Sequence, residues 1–308
     1  MSFAYRIKNE IASNRPFRQH YKKAQAYGLL LYGKMFDAQG ISIHTEHKSV
    51  ARLFADSIAD LVGITDSITL REVKRNGKRS MFVVTVDSPS DREAVLRFFG
   101  YVSGEDTGHI LWDNLSAGEI PAFLSGAFLA CAAVTDPEKS YHVEFCIPGK
   151  SLCDDLYRLL CENLAEPKIT VRRNDYILYY KESEHIEDLL TYIGAGKASL
   201  EMMEVKIVKE LRNKVNRATN CETANITKVI DASMKQTQDI RLIAENGGLE
   251  ALDEDLRELA RLRMENPEMS LRELGENLSE KISRSGVNHR LKRIAQFAQE
   301  IRIKQGGA

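Results

Sequence analysis

The clearest chemistry in the chain lies between residues 283 and 302. Arg284, Ser285, Asn288, His289, Arg290, Lys292, Arg293 and Gln296 cluster there at helical spacing and supply hydroxyl, amide, imidazole and cationic donors. Asn, Gln, His and Arg can bond base edges in a DNA groove, and Lys or Arg can neutralise phosphates. Arg284 and Ser285 open the predicted helix, where free backbone amides also attract a phosphate oxygen. Opposite this row, Val287, Leu291, Ile294 and Ala298 share one apolar face by the 3.6-residue period. A helix with one docking face and one donor-rich face is suited to reading DNA.

Charge supports that division. Residues 281–304 carry seven basic residues against one acid, a net of +6, whereas residues 249–280 carry four basic against ten acidic, a net of −6. The whole chain of 308 residues carries only −1, so any contact with a polyanion must be local. An acidic segment on the side away from DNA would keep the basic face oriented and limit unspecific binding.

The elements that hold this helix are legible upstream of it. Ser270-x-x-Glu273 is a capping box that starts a short helix over 270–278. The turn 279–282 then leads into the basic helix 283–302, so 269–302 reads as a helix-turn-helix. Another helix covers 251–265 and ends near Asn266-Pro267. Gly194-Ala195-Gly196 marks a domain boundary, followed by a linker helix within 195–220, with a further helix running to Glu245 in a C-terminal domain of residues 221–308.

The N-terminal part repeats itself. Periodicity predicts helix 17–33, strand 40–46, helix 49–62, strands 67–74 and 80–86, and helix 90–99. The series returns as helix 119–133, strand 141–147, helix 150–163, strands 168–173 and 176–181, and helix 184–193. Gly28 and Gly126 lie 98 residues apart, as do the turn residues Asn76 and Asn174. This is an internal duplication with repeats at about 1–104 and 111–194. Ala24 and Gly28 in one copy, and Ala122, Gly126 and Ala130 in the other, form lines of small residues along which the two helices can cross at a pseudo-twofold axis.

Three segments resemble the WhiA family of bacterial regulators: Asp136-Pro137-Glu138-Lys139-Ser140-Tyr141-His142, Asn220-Cys221-Glu222-Thr223-Ala224-Asn225 and Ser285-Gly286-Val287-Asn288-His289-Arg290-Leu291. The resemblance implies an α+β LAGLIDADG homing-endonuclease-like domain over 1–194, built from two αββαββα-type repeats. It also implies a fused all-α helix-turn-helix domain similar to the promoter-reading region of sigma factors. The roles it implies are sporulation control, cell division and chromosome segregation. Active LAGLIDADG enzymes end each central helix with a carboxylate that holds a divalent metal. Here Gly33 and Cys131 stand at those positions, and neither supplies a hard oxygen ligand. Asp37 and Asp136 are acidic but out of register. A degenerate, non-enzymatic domain with no metal and no cofactor is expected; the alternative is a metal-dependent DNA endonuclease.

Weaker signals complete the reading. His44 and His47 are read as surface histidines rather than a metal pair, and the five cysteines contain no CxxC pair. Arg71, Lys74, Arg75, Lys78 and Arg79 crowd one hairpin that could grip DNA. However, residues 1–194 total 23 basic against 26 acidic residues, a poor balance for a DNA saddle. That domain can instead be a protein-interaction module for RNA polymerase, a sigma factor or another regulator. With no membrane-length apolar run and no signal-peptide core, the chain is expected to be a cytoplasmic, nucleoid-associated monomer whose partner is double-stranded DNA.

Overall fold

The computed structural model describes residues 2–16, 18–74, 77, 79–102 and 106–306, and they form two compact units, 1–210 and 211–308. Phe17, Arg75, Asn76 and Lys78 lie outside the described residues, so the predicted turn at Asn76 and part of the basic hairpin do too.

The first unit opens with a helix that periodicity did not predict, α1 (Phe3–Ser13). Ser2 caps it by accepting from the Tyr5 amide, and Phe3, Ile7 and Ile11 recur every four residues as a fully buried stripe. The duplication follows. Its first copy runs α2 (Gln19–Leu31), β1 (Met35–Phe36), β2 (Ile41–Thr45), α3 (Lys48–Val62), β3 (Ile68–Val73), β4 (Met81–Val86) and α4 (Pro89–Phe98). Its second copy runs α5 (Ile120–Cys131), β5 (Ala132–Val134), β6 (Val143–Ile147), α6 (Lys150–Asn163), β7 (Lys168–Arg172), β8 (Asp175–Tyr180) and α7 (Ser183–Tyr192). Each copy is αββαββα. Periodicity alone missed β1 and β5, because two or three residues cannot show an alternation.

Each copy makes one antiparallel sheet, in the orders β1-β2-β4-β3 and β5-β6-β8-β7. Phe82, Val84 and Val86 of β4, and Val143, Phe145 and Ile147 of β6, turn toward one shared core. The alternate residues face away, so each sheet keeps one open face. The β7–β8 turn falls one residue earlier than Asn174-Asp175. Arg173 and Asn174 take φ of 52° and 71°, while Asp175 already pairs with Arg172. Two residues with positive φ are what the twist of a tight hairpin demands.

The two copies meet where α2 crosses α5. A β-carbon on Gly28 would stand 2.1 Å from the Phe123 carbonyl oxygen and 2.9 Å from the Ala127 nitrogen. A β-carbon on Gly126 would stand 2.0 Å from the Gln25 carbonyl oxygen and 2.7 Å from the Leu29 nitrogen. Shifting either set by 98 residues gives the other, so these contacts obey the pseudo-twofold relation residue by residue. Ala24 is buried beside the crossing, with Ala122 and Ala130 half-buried along α5. Gln25 donates from Nε2 to Ser125 Oγ at 2.9 Å, a buried polar tie across the same seam.

The first unit does not end at Ile193. Gly194 takes φ of 86° and the Ala195 amide bonds the Leu190 carbonyl at 2.8 Å, which stops α7. The chain then enters α8 (Gly196–Glu245) at once. Ala195, Ala198, Ser199 and Met202 are buried, and the Glu10 carboxylate accepts from the Lys197 and Ala198 amides at 2.8 and 3.1 Å. A carboxylate at a helix N-terminus satisfies free amides and meets the positive end of the dipole. Lys206 bonds Glu184 at 2.5 Å and Lys209 the Pro137 carbonyl at 2.6 Å. The predicted boundary at 194 therefore moves to about 210, and α8 continues through 218–222, where separate helices were expected.

In the second unit the C-terminal part of α8 joins α9 (Glu254–Glu265), α10 (Leu271–Asn277) and α11 (Arg284–Gly306). Ile240, Ile243, Leu256, Leu259, Leu274, Val287, Leu291, Ile294 and Ala298 form a separate core.

The seam makes a direct stability prediction. Gly126→Ala is expected to destabilise the first unit by about 3 kcal/mol or more, because its β-carbon meets backbone that cannot move aside. Gly149→Ala, with nothing within 4 Å of the added carbon, is expected to change stability by less than about 0.5 kcal/mol. Urea unfolding of both variants, followed by tyrosine fluorescence, measures the difference.

Candidate nucleic-acid interface

The helix-turn-helix is assembled by short-range features. Ser270 Oγ accepts from the Glu273 amide at 3.2 Å and Glu273 accepts from the Ser270 amide at 2.7 Å, which completes the predicted capping box. These bonds hold the Glu273 carboxyl below its usual pKa. The tight turn depends on a residue that the sequence reading passed over, Gly275. A β-carbon there would stand 2.3 Å from the Ile282 carbonyl oxygen and 3.1 Å from Val287, and the Ile282 amide bonds the Gly275 carbonyl at 3.1 Å. A glycine inside a seven-residue helix was the available signal. Glu258 on α9 accepts from the Ser279 amide and hydroxyl at 2.6 and 2.7 Å, fixing the start of the turn.

On α11, Val287, Leu291, Ile294 and Ala298 are all buried, as their spacing predicts. Arg284, Ser285, Asn288, His289, Lys292 and Gln296 are exposed. Arg290 and Arg293 have another role. Arg290 is only 17% exposed in its side chain, with Nε 3.2 Å from Asp255 and Nη2 3.9 Å from Glu280. Arg293 reaches Asp253 at 2.6 Å and Asp255 at 3.9 Å, and Arg302 reaches the buried Asp239 at 2.6 Å. Asp253 and Asp255 at the start of α9, with Asp239 on α8, therefore clamp α11 directly, beyond the remote field that the sequence suggested. Lys281, Arg284, Lys292 and Lys304 carry no ion pair among the described residues.

Gly33 and Cys131, where the resemblance placed the carboxylates of active enzymes, bring no carboxylate to the first unit. A β-carbon on Gly33 would stand 2.9 Å from the carbonyl oxygens of both Leu30 and Ser42, so an aspartate has no room on this backbone. Cys131 is a neutral thiol: burial pushes its pKa up to about 12, and Sγ donates to the Ala127 carbonyl at 3.3 Å. Beside it the buried Lys8 donates to the Leu129 carbonyl at 3.1 Å, its pKa lowered to about 8 by burial. A positive group at this helix end opposes a second cation. Asp37 and Asp136 cap turns, accepting from the amides of Gln39 and Gly40 and of Glu138. Among the described residues, no group of three or more His, Cys, Asp or Glu side chains could hold a metal ion.

His47 corrects an expectation. It is 9% exposed, packed against Tyr5 with ring centroids 5.3 Å apart, and its Nδ1 has no partner among the described residues. His44 is exposed, as expected. The basic hairpin is partly tied down, since Arg79 donates to Ser2 Oγ at 3.4 Å. On the second sheet, Arg172 bonds Glu144 and Lys168 bonds Glu182, both at 2.8 Å.

A duplicated LAGLIDADG-like unit joined to a helical unit with a helix-turn-helix defines the class. A WhiA LAGLIDADG-like domain matches residues 120–212 and a WhiA C-terminal HTH domain matches residues 215–298. The "Probable cell division protein WhiA" of Clostridium tetani is 33% identical over 98% of both chains. The protein of that name from Thermoanaerobacter sp. is 36% identical over 99% of both. Full-length DUF199/WhiA from Thermatoga maritima superposes with a TM-score of 0.56 at 26% identity, covering 97% of this chain and 99% of that one. The chain belongs to the WhiA family.

His47 gives a pH prediction. Burial, then the charges of Lys8 and Arg79, lower its pKa from 6.5 to about 4. Between those values the unfolded chain binds a proton that the folded chain refuses, so this stabilisation is present above pH 6.5 and is lost as pH falls toward 4. The loss is expected to reach roughly 3 kcal/mol. Unfolding free energies of the wild type and His47→Gln across this range check it, with a flatter profile expected for the variant.

Proposed function

We propose that this chain is a sequence-specific DNA-binding regulator of cell division, chromosome segregation or sporulation, and that it acts in the cytoplasm on the nucleoid. The observation that carries the reading is α11. Its apolar side is locked into the core, while Asn288, His289, Lys292 and Gln296 remain exposed on the other side, with Arg284 and Ser285 exposed at its start. In this reading Asn288, His289 and Gln296 contact base edges, Lys292 and Arg284 contact phosphates, and Arg290 and Arg293 hold the helix against α9. No helix among the described residues is long and apolar enough to cross a membrane.

We further infer that the first unit contributes a protein contact, with RNA polymerase, a sigma factor or another regulator as the partner, and no DNA cleavage. Two features support this: the pairing of the second-sheet residues Arg172 and Lys168 with Glu144 and Glu182, and the absence of room for an acid at position 33. A rigid unit linked to a DNA reader raises the local concentration of its partner beside a promoter without touching bases. The fragment to test is 1–210, since the first turns of α8 belong to that unit.

DNA binding by the full chain tests the assignment. Lys292→Ala is expected to weaken binding to all sequences alike and to lower the salt slope by about 1. Asn288→Ala and His289→Ala are expected to relax base preference, each by about 1 to 3 kcal/mol. Equal losses on specific and random duplexes for all three variants would remove the base-reading role. The protein is also expected to leave supercoiled and linear DNA uncut in Mg²⁺ or Mn²⁺, checked by gel electrophoresis after prolonged incubation.

A further inference from the structure

Within the second unit, a cavity of about 450 Å³ lies among α8, α9, α10 and the start of α11. Four cations line it, Lys228, Arg263, Arg272 and Arg284, and no carboxylate does. Arg272 is engaged with Glu276 at 2.9 Å. Arg263 is the unusual member. It is 2% exposed, its Nη1 donates to the carbonyls of Pro267 and Met269 at 3.2 and 2.6 Å, and its Nε has no hydrogen-bond partner among the described residues. The exposed Glu268 lies outside ion-pair distance of it. The buried amide oxygen of Gln236, on the same wall, is also unpaired. A buried guanidinium with no carboxylate within ion-pair distance is costly, and with three further cations lining the same cavity it favours an oxyanion there.

We propose that this cavity binds a small phosphorylated molecule, with the exposed Lys228 and Arg284 holding the phosphate, the buried Arg263 adding its charge from within the wall, and the remainder lying on Val229 and Leu271. The volume is that of small-molecule sites, about 300 to 1,000 Å³. A duplex backbone is too stiff to enter a cavity of this size, although it could meet the exposed Lys228 and Arg284. Because Arg284 also opens α11, a bound anion and DNA share one cation. Their affinities are then linked by the same factor in both directions. The site itself does not depend on what α11 reads.

The test is titration calorimetry of the full chain, without DNA, using inorganic phosphate, pyrophosphate, AMP and ATP as probes. At least one probe is expected to bind saturably with submillimolar Kd. That binding is expected to weaken about tenfold in Arg284→Ala, and as much in Ala232→Trp, which fills the cavity. It should stay unchanged in Lys235→Ala, an exposed α8 cation that does not line the cavity. Circular dichroism of Arg284→Ala and Ala232→Trp separates loss of the site from loss of the fold. No saturable binding up to about 10 mM, or binding unaltered by Arg284→Ala and Ala232→Trp, overturns the proposal. It is also overturned if the free probes fail while Lys228→Ala and Arg284→Ala weaken a short duplex, since these two cations then serve the DNA backbone.

Discussion

Where α2 crosses α5, a single added carbon on either helix would fall within 2.1 Å of the other helix's carbonyl oxygen. Two backbones in that proximity leave no room for any side chain at Gly28 or Gly126, and the rest of the first unit is arranged around this contact. The crossing brings the two copies together, and their sheets then cover one core that neither could close alone. It also places the two nuclease positions at the ends of the crossing helices, Gly33 just beyond α2 and Cys131 as the last residue of α5. Neither position offers a carboxylate: one is a glycine, and the other a neutral thiol with the buried ammonium of Lys8 beside it.

The second unit is organised by charge as much as by apolar packing. Its acidic and basic segments read as opposite blocks along the chain, and in space they interlock through Arg290 and Arg293 on Asp253 and Asp255. Such half-exposed pairs contribute little to stability singly, but several together fix the rotation of α11 about its own axis. That rotation decides which side chains face outward. Arg284 and Lys292, which carry no ion pair among the described residues, then sit on the side with Asn288 and His289.

Much of this was legible in the sequence because the signals were local. The small-residue line at four-residue spacing, the capping box at Ser270 and the apolar stripe of α11 each depend on neighbours within a turn or two. What escaped depends on distant partners. Arg290 and Arg293 share a donor-rich sequence with Asn288 and His289, and only the position of α9 separates them. His47 looks like a surface residue until α1, itself unpredicted, lays Tyr5 over it. The boundary at Gly194 followed sound punctuation, yet Glu10, nearly 200 positions earlier in the chain, supplies the carboxylate that starts α8 immediately. Asn220-Cys221 suggested a break that the helix does not make, since polar residues of middling propensity do not by themselves stop a helix.

The backbone contact at the seam has a genetic counterpart. In an ordinary core, a larger residue at one position can be accommodated by a smaller one opposite, because side chain meets side chain. At Gly28 and Gly126 the opposing surface is peptide backbone, and no substitution on the other helix makes a carbonyl oxygen smaller. Lesions at these two positions should therefore lack second-site suppressors within the seam. The two repeats, free to diverge nearly everywhere else, remain bound to the same residue at this one pair of sites for as long as the crossing persists.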